Sequence, residues 1–174
     1  MTTPYHRRVQ EHVLSFGQRN PEKFPRVHND KRPVHIVHPM KIKSFLYYPD
    51  VRFETRSGKN YIFEVMDTEV GKQALIVAHV VQAVFTPHVL KVFFIVRKER
   101  DLKNVNRITD VVLGNLEDLG VRRLNKRVRF VYVVISPEDS KDFNRVAEAL
   151  AETRELPAQP GFRSPTAICF TSSP

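Results

Sequence analysis

The order of elements in this chain predicts an α/β domain, a mixed sheet carrying helices on its faces. Three observations lead there. Residues 89–96 (VLKVFFIV) and 128–135 (VRFVYVVI) are almost continuously apolar and rich in β-branched and aromatic side chains, as strands buried on both faces require. Residues 51–66 carry two further β-prone segments around Ser57, Gly58, Lys59 and Asn60, a turn composition that closes a hairpin. Before and between the strands, apolar residues recur at helical spacing.

The chain has 174 residues, 41% of them hydrophobic, which is enough for one core. Residues 1–156 are read as that single domain, and residues 157–174, rich in Pro, Ser and Thr, as a loosely held tail. A formal net charge of +9, from 28 Lys and Arg against 19 Asp and Glu, creates a field that attracts polyanions, nucleic acid first among them. The single cysteine, Cys169, excludes an internal disulfide and any zinc module built on several thiolates. No charged leader runs into an apolar segment and no stretch is long enough to cross a bilayer, so a cytoplasmic protein with no membrane partner is expected. Six scattered glycines form no phosphate-binding loop, and Ser15, Ser44 and Ser57 sit in no nucleophile elbow. His28, His35 and His38 have no cysteine or helical partner and read as loop histidines rather than as a zinc shell.

Taken in order, residues 5–18 set Val9, Val13 and Phe16 along one helical stripe, with Arg7, Arg8 and Glu11 on the polar face and an end near Gly17. Pro21, Pro25, Pro33 and Pro39 remove backbone donors from the next stretch, which reads as an extended connector. Residues 41–48 are a strand or the lead-in to one, and the hairpin follows. Residues 69–85, capped by Thr68, are apolar nearly all round, the mark of a helix enclosed in the interior. After the strand at 89–96 comes an amphipathic helix over 104–119, through Ile108, Val111, Val112, Leu116 and Leu119. The strand at 128–135 leads to a last helix opened by Ser136 and Pro137, with Phe143, Val146 and Leu150 as its stripe.

Matching apolar faces sets a register for the hairpin. Val51 facing Val65 and Phe53 facing Phe63 put Asp50 opposite Met66 and diagonal to Glu64, so that two carboxylates share the other face of the sheet. Neighbouring carboxylates repel, and a hard divalent cation relieves the repulsion; such oxygens suit Mg2+ or Mn2+. The plainer reading makes Asp50 the end of a loop and Glu64 a solvated residue on a half-exposed strand.

Pro49-Asp50, two turn-linked strands, Glu64-Val65-Met66 and a following helix resemble the core of the PD-(D/E)xK nucleases, the restriction-endonuclease-like superfamily, over residues 5–97. The resemblance implies an αβββαβ core, here with a C-terminal helix–strand–helix extension, and Mg2+-dependent cleavage of nucleic acid, DNA before RNA. It gives Asp50 and Glu64 to the metal and adds Glu11 from the first helix. Met66 stands where the motif has a lysine, whose part in stabilising the attacking water and the developing charge a thioether cannot take. Lys72, one turn into the helix after Met66, is the candidate replacement, with Gln73 beside it to orient water or a ligand. Many nucleases of this kind cut two strands as dimers, which leaves a homodimer open, though no exposed apolar stripe demands one.

Two basic clusters, Arg97, Lys98 and Arg100, and Arg122, Arg123, Lys126, Arg127 and Arg129, would contact phosphates without sequence preference if they share a face with Asp50. The alternative to a nuclease is a nuclease-like domain that lost catalysis with the lysine and serves as a nucleic-acid-binding or assembly module.

Overall fold

Thr3 opens the first helix, α1 (Pro4–Gln18), by accepting a hydrogen bond from the His6 N–H, and Pro4 at the first helical position forgoes no bond. The computed structural model to which this helix belongs describes residues 3–29, 34–36, 45–67, 72–86, 88–120, 128–135 and 169–170. The order continues with β1 (Arg26–Asn29), β2 (Val34–Ile36), β3 (Phe45–Tyr47), β4 (Val51–Glu54), β5 (Asn60–Met66), α2 (Lys72–Phe85), β6 (Val89–Val96), α3 (Glu99–Asp118), β7 (Arg129–Val134) and β8 (Cys169–Phe170).

The main sheet runs β1-β4-β5-β6-β7-β8, the last contributing only two residues. Its β1, β4 and β5 are antiparallel neighbours, whereas β5 through β8 run parallel, so the sheet is mixed as the residue pattern predicts. β2 and β3 pair apart from it as a two-stranded ribbon. Both β1 and β2 lie in the stretch read as a connector. For β1 the reason is its edge position: among the described residues it pairs with β4 alone, and Pro25 stands just before it, where no ladder donor is lost. β8 falls in the stretch read as a loose tail and pairs with Tyr132 and Val133. The Thr68 cap and the helix opened by Ser136 lie outside the described residues.

Alternation along β5 and β6 divides the core. Phe63, Val65, Phe93 and Ile95 pack with Val9 and Val13 of α1, while Ile62, Met66, Phe94 and Val96 pack with Ile76 and Val80 of α2 and Leu102 and Val105 of α3. Phe63 stacks on Phe93 with centroids 4.6 Å apart and planes at 12°, worth about 0.5–1.5 kcal/mol beyond its burial. α2 is not enclosed. Ile76, Val80, Ala83 and Val84 are buried against the sheet, but Leu75 and Val77 are exposed on its outer side. α3 starts at Glu99, ahead of the stripe that predicts it, because Glu99 and Asp101 suit the positive end of a helix and Leu102 is buried.

The hairpin register differs from the one that apolar matching sets. Val51 pairs with Phe63 and Phe53 with Tyr61, a shift of two residues. The turn decides it: the Thr55 N–H donates to the Lys59 carbonyl at 2.8 Å, and Gly58 takes φ +71°, leaving a short loop whose left-handed position glycine fills without strain. An even shift keeps every side chain on its expected face.

α1 approaches the sheet most closely at Gly17, where a Cβ would lie 2.6 Å from Phe53 Cε1 and 2.8 Å from Val27 Cγ2; a Cβ at Gly114 in α3 would meet nothing within 4 Å. Urea unfolding should show Gly17→Ala destabilised by about 1–3 kcal/mol through overpacking. Gly114→Ala, in an open helix interior, should gain about 1 kcal/mol.

Candidate functional site

The carboxyl ends of β5, β6 and β7 form one rim, and the first turn of α1 crosses it. The Tyr5 hydroxyl donates to the Ile135 carbonyl at 2.9 Å, just past β7, and the Thr3 hydroxyl donates to the Asp67 carboxylate, just past β5. His6 Nε2 stands 3.0 Å from Asp50 Oδ1, and Gln10, one turn on, donates to the Asp50 carbonyl at 2.8 Å.

Continuing the β4–β5 register by one residue puts Asp50 opposite Glu64, not opposite Met66. Beyond the last paired residue of β4, the Val65 N–H donates to Asp50 Oδ2 at 2.7 Å. The side chain thus takes the acceptor place of a ladder carbonyl, and both its oxygens are oriented, one by backbone and one by imidazole.

Glu64 turns to the other face of the sheet, beneath α2, and is only 2% exposed. It accepts a hydrogen bond from the Tyr47 hydroxyl, and His79 Nδ1 lies 3.3 Å from its Oε1, close enough for ion pairing although not aligned for a hydrogen bond. Burial pushes the Glu64 carboxyl up; His79 and Tyr47 pull it down, the Asp50 charge adds to the rise, and the net effect is upward. Burial also opposes the charged His79 imidazole, but Glu64, with Asp50 behind it, outweighs that and leaves His79 above its ordinary value. His6 is raised chiefly by its bond to Asp50, and burial together with Glu64 pushes the Tyr47 hydroxyl well up. The result is two carboxylate–imidazole pairs, Asp50–His6 and Glu64–His79, on either side of β5.

Asp50 and Glu64 stand across the hairpin from one another, but not on one shared face as expected: Asp50 precedes β4, and its carboxylate turns back to the Val65 N–H and to His6 on the α1 side, while Glu64 points to His79 on the α2 side. Glu11 is exposed, about 140° round α1 from His6, and the α1 side chains that reach Asp50 are His6 and Gln10. Gln73 is exposed, about 120° round α2 from His79, which is the α2 residue that meets Glu64. Lys72 is the first residue of α2, and its side chain lies outside the described residues. Met66 is 4% exposed, packed in the core on the α2 side. Arg97 is half exposed beside Asp67, and Lys98 and Arg100 are exposed at the start of α3. Arg122, Arg123, Lys126 and Arg127 lie outside the described residues, but Arg129 pairs with Lys91, some 20 Å along the strands from Arg97, at the opposite end of the sheet.

Sequence reasoning passed over His6, Tyr47, Asp67 and His79. Two signals could have found part of this set. His79 interrupts the stripe of Ile76, Val80 and Ala83 with a polar side chain, and His6 and Gln10 flank Val9 at a spacing of four.

The donor set can be tested against a divalent ion. Asp50 and Glu64 offer hard oxygens, and the Asp50 charge raises the proton affinity of Glu64, the repulsion that a cation relieves. An ionised carboxylate has about four acceptor directions, so the bonds from His6 and Val65 to Asp50 and from Tyr47 to Glu64 leave capacity on both. Among the described residues no three His, Cys, Asp or Glu side chains stand together as a metal cage. Mg2+ is commonly held by one or two carboxylates, with waters and substrate phosphates completing its shell; here Asp50, about one-fifth exposed, is the carboxylate open to solvent, while Glu64 is enclosed.

Comparison with known proteins returns no matching family model, no matching curated protein and no matching solved structure. Among the described residues no helix is long and apolar enough to cross a membrane.

The raised groups fix a sign for the pH dependence. Glu64, His6 and His79 hold protons more tightly folded than unfolded, so the stability they contribute is present in acid and is lost as pH rises, from 4.5 for Glu64 and from 6.5 for the histidines, through the raised folded values. In urea unfolding across a pH series, the stability difference between wild type and His6→Gln should shrink as pH increases above 6.5. A difference that stays constant over that range would show that His6 carries no shifted proton.

Proposed function

We propose that this chain is a nuclease-like domain of the PD-(D/E)xK type that hydrolyses phosphodiester bonds in nucleic acid, DNA in the first instance, with Mg2+ or Mn2+ at Asp50 and Glu64. One observation carries the reading: Asp50, before the second strand of the order α1, β1, β4, β5, α2, β6, and Glu64, within the third, are charge-coupled across a hairpin. That order follows the αβββαβ core, with β2 and β3 as an insertion between its first and second strands. The excess of basic residues suits a polyanionic substrate.

In this reading Asp50 and Glu64 are the ligands, and His6, the Val65 N–H, Tyr47 and His79 orient them from behind, as hydrogen-bonded neighbours of ligating carboxylates do. A metal held by Asp50 and Glu64 would polarise a phosphoryl oxygen and make water a better nucleophile. Hydrolysis forms a bond from the water oxygen to phosphorus as one ester P–O bond breaks, and the departing oxygen takes up a proton. Asp50, about one-fifth exposed, is the open side of the pair; Glu64 is the enclosed one.

A second reading has its own observation. Met66 is buried and apolar, and each carboxylate already has an imidazole beside it, an arrangement that balances charge without a cation. This favours a domain that binds nucleic acid without cutting it. The two are separated by incubating the protein with supercoiled plasmid and Mg2+ or Mn2+. Nicking that disappears in Asp50→Ala and Glu64→Ala supports the nuclease. Salt-sensitive binding with no nicking under either metal, and new nicking in Met66→Lys, supports the second reading. Nicking that survives both alanine variants would rule out the site.

A further inference from the structure

We propose that Arg97 is the residue that grips and orients a phosphate at this site, and that Asp67 and Tyr5 hold its guanidinium for that task. The inference rests on the nucleic-acid reading above and adds to it the group that meets the substrate's charge.

Arg97 follows β6 directly, and Met66, its diagonal neighbour across the sheet, pairs with Val96. Because Met66 and Val96 turn inward toward α2, β5 brings an apolar side chain to this rim, and the cation there comes from the next strand. Two contacts hold it. The guanidinium carbon lies 5.5 Å from the centroid of the Tyr5 ring, and Nη1 lies 3.9 Å from Asp67 Oδ1. Both supports are themselves fixed: the Tyr5 hydroxyl is bonded to the Ile135 carbonyl, and the other oxygen of Asp67 accepts from Thr3.

Asp67 supplies the second line of argument. Its side chain is 3% exposed, and among the described residues its buried Oδ1 has no hydrogen-bond partner. A buried carboxylate oxygen in that state is costly unless a cation faces it, and Arg97 is the cation at hand. The Arg97 side chain nevertheless remains 46% exposed, so solvent reaches it beside these two contacts. A guanidinium has five donors in a planar fork, more than one carboxylate and one ring can occupy, and a tetrahedral oxyanion matches the remainder. The same turn of α1 that carries Tyr5 places His6 on Asp50, which joins this fork to the carboxylate pair through consecutive residues.

Lys98 and Arg100 add positive charge nearby; both are exposed, and Arg100 pairs at 3.9 Å with its own neighbour Asp101.

The test uses the full chain, a short fluorescent DNA duplex for binding over a salt series, and supercoiled plasmid with Mg2+ or Mn2+ for cleavage, with circular dichroism to confirm folding. Arg97→Ala should reduce the slope of log affinity against log salt by about 0.9, and cleavage at saturating DNA should fall about a hundredfold. Arg97→Lys should keep the salt slope and still lose cleavage, because it retains the charge without the fork. Asp67→Asn should also keep the slope and lower turnover about tenfold, the mark of a positioning residue. Arg107→Ala, which removes an equal charge from the exposed side of α3, should leave cleavage unchanged. A folded Arg97→Ala with wild-type slope and cleavage would overturn the proposal, as would equal losses in Arg107→Ala. If wild type binds but does not cut, the slope alone decides, and an unchanged slope in Arg97→Ala overturns it. A folded wild type that neither binds nor cuts DNA removes the nucleic-acid reading and this inference with it.

Discussion

The burial of Glu64 is the constraint around which the site is arranged. It is the one acidic residue on a strand whose every position is buried, and it faces a core of Ile62, Met66, Ile76 and Val80. A carboxylate in such a place costs several kcal/mol unless its charge and lone pairs are met. Tyr47 from the short strand before Asp50 and His79 from α2 meet them. The ribbon of β2 and β3, the sheet and α2 are thus tied together at one atom, Glu64 Oε1, which the hydrophobic core alone would not require.

The opposite face is tied by α1. Its first turn touches the ends of β5 and β7 and the approach to β4 through Thr3, Tyr5 and His6, while Val9 and Val13 farther along pack on Phe53 and Phe63. Hydrophobic burial supplies the adhesion, and the polar contacts of the first turn supply the alignment. Gly17 is where the two meet a limit, since the far end of the helix approaches Phe53 and Val27 too closely for any side chain. Both elements that grip the carboxylates, α1 and α2, lie on rigid, packed surfaces, the condition under which a site keeps its geometry.

Arg97, Lys98 and Arg100 concentrate positive charge on one side of the rim, and Asp50 and Glu64 concentrate negative charge on the other, where the Asp50 charge raises the Glu64 carboxyl; the proposed phosphodiester chemistry would draw on both. The histidines make this site unlike a bare acidic pair: each carboxylate has its own proton holder, so the charge of the cluster changes with pH. The basic residue Arg129 stands at the far end of the strands, so a nucleic acid reaching it as well as Arg97 would have to run the length of the sheet.

By itself the sequence determined the elements whose signals are local. The buried strands β6 and β7 follow from unbroken apolar runs, α1 from its stripe, and the hairpin from Ser57, Gly58, Lys59 and Asn60. It also placed Asp50 across the hairpin from the strand of Glu64, since an even error in register keeps strand parity, but it did not set the turn of the Asp50 carboxylate to the α1 side, which the Val65 N–H and His6 decide. Tertiary structure decided the rest. It placed β1 and β8, whose proline and polar surroundings hide strands that only their neighbours in the sheet stabilise. It replaced Glu11 and Gln73 by His6 and His79, since which helical face meets a strand end depends on how the helix docks, not on its own periodicity. And it brought Arg97 to Asp67 and Tyr5, residues far apart in the chain that meet because the first turn of α1 crosses the ends of parallel strands. Local pattern fixes periodicity and burial; only the packed chain fixes which polar groups must satisfy one another.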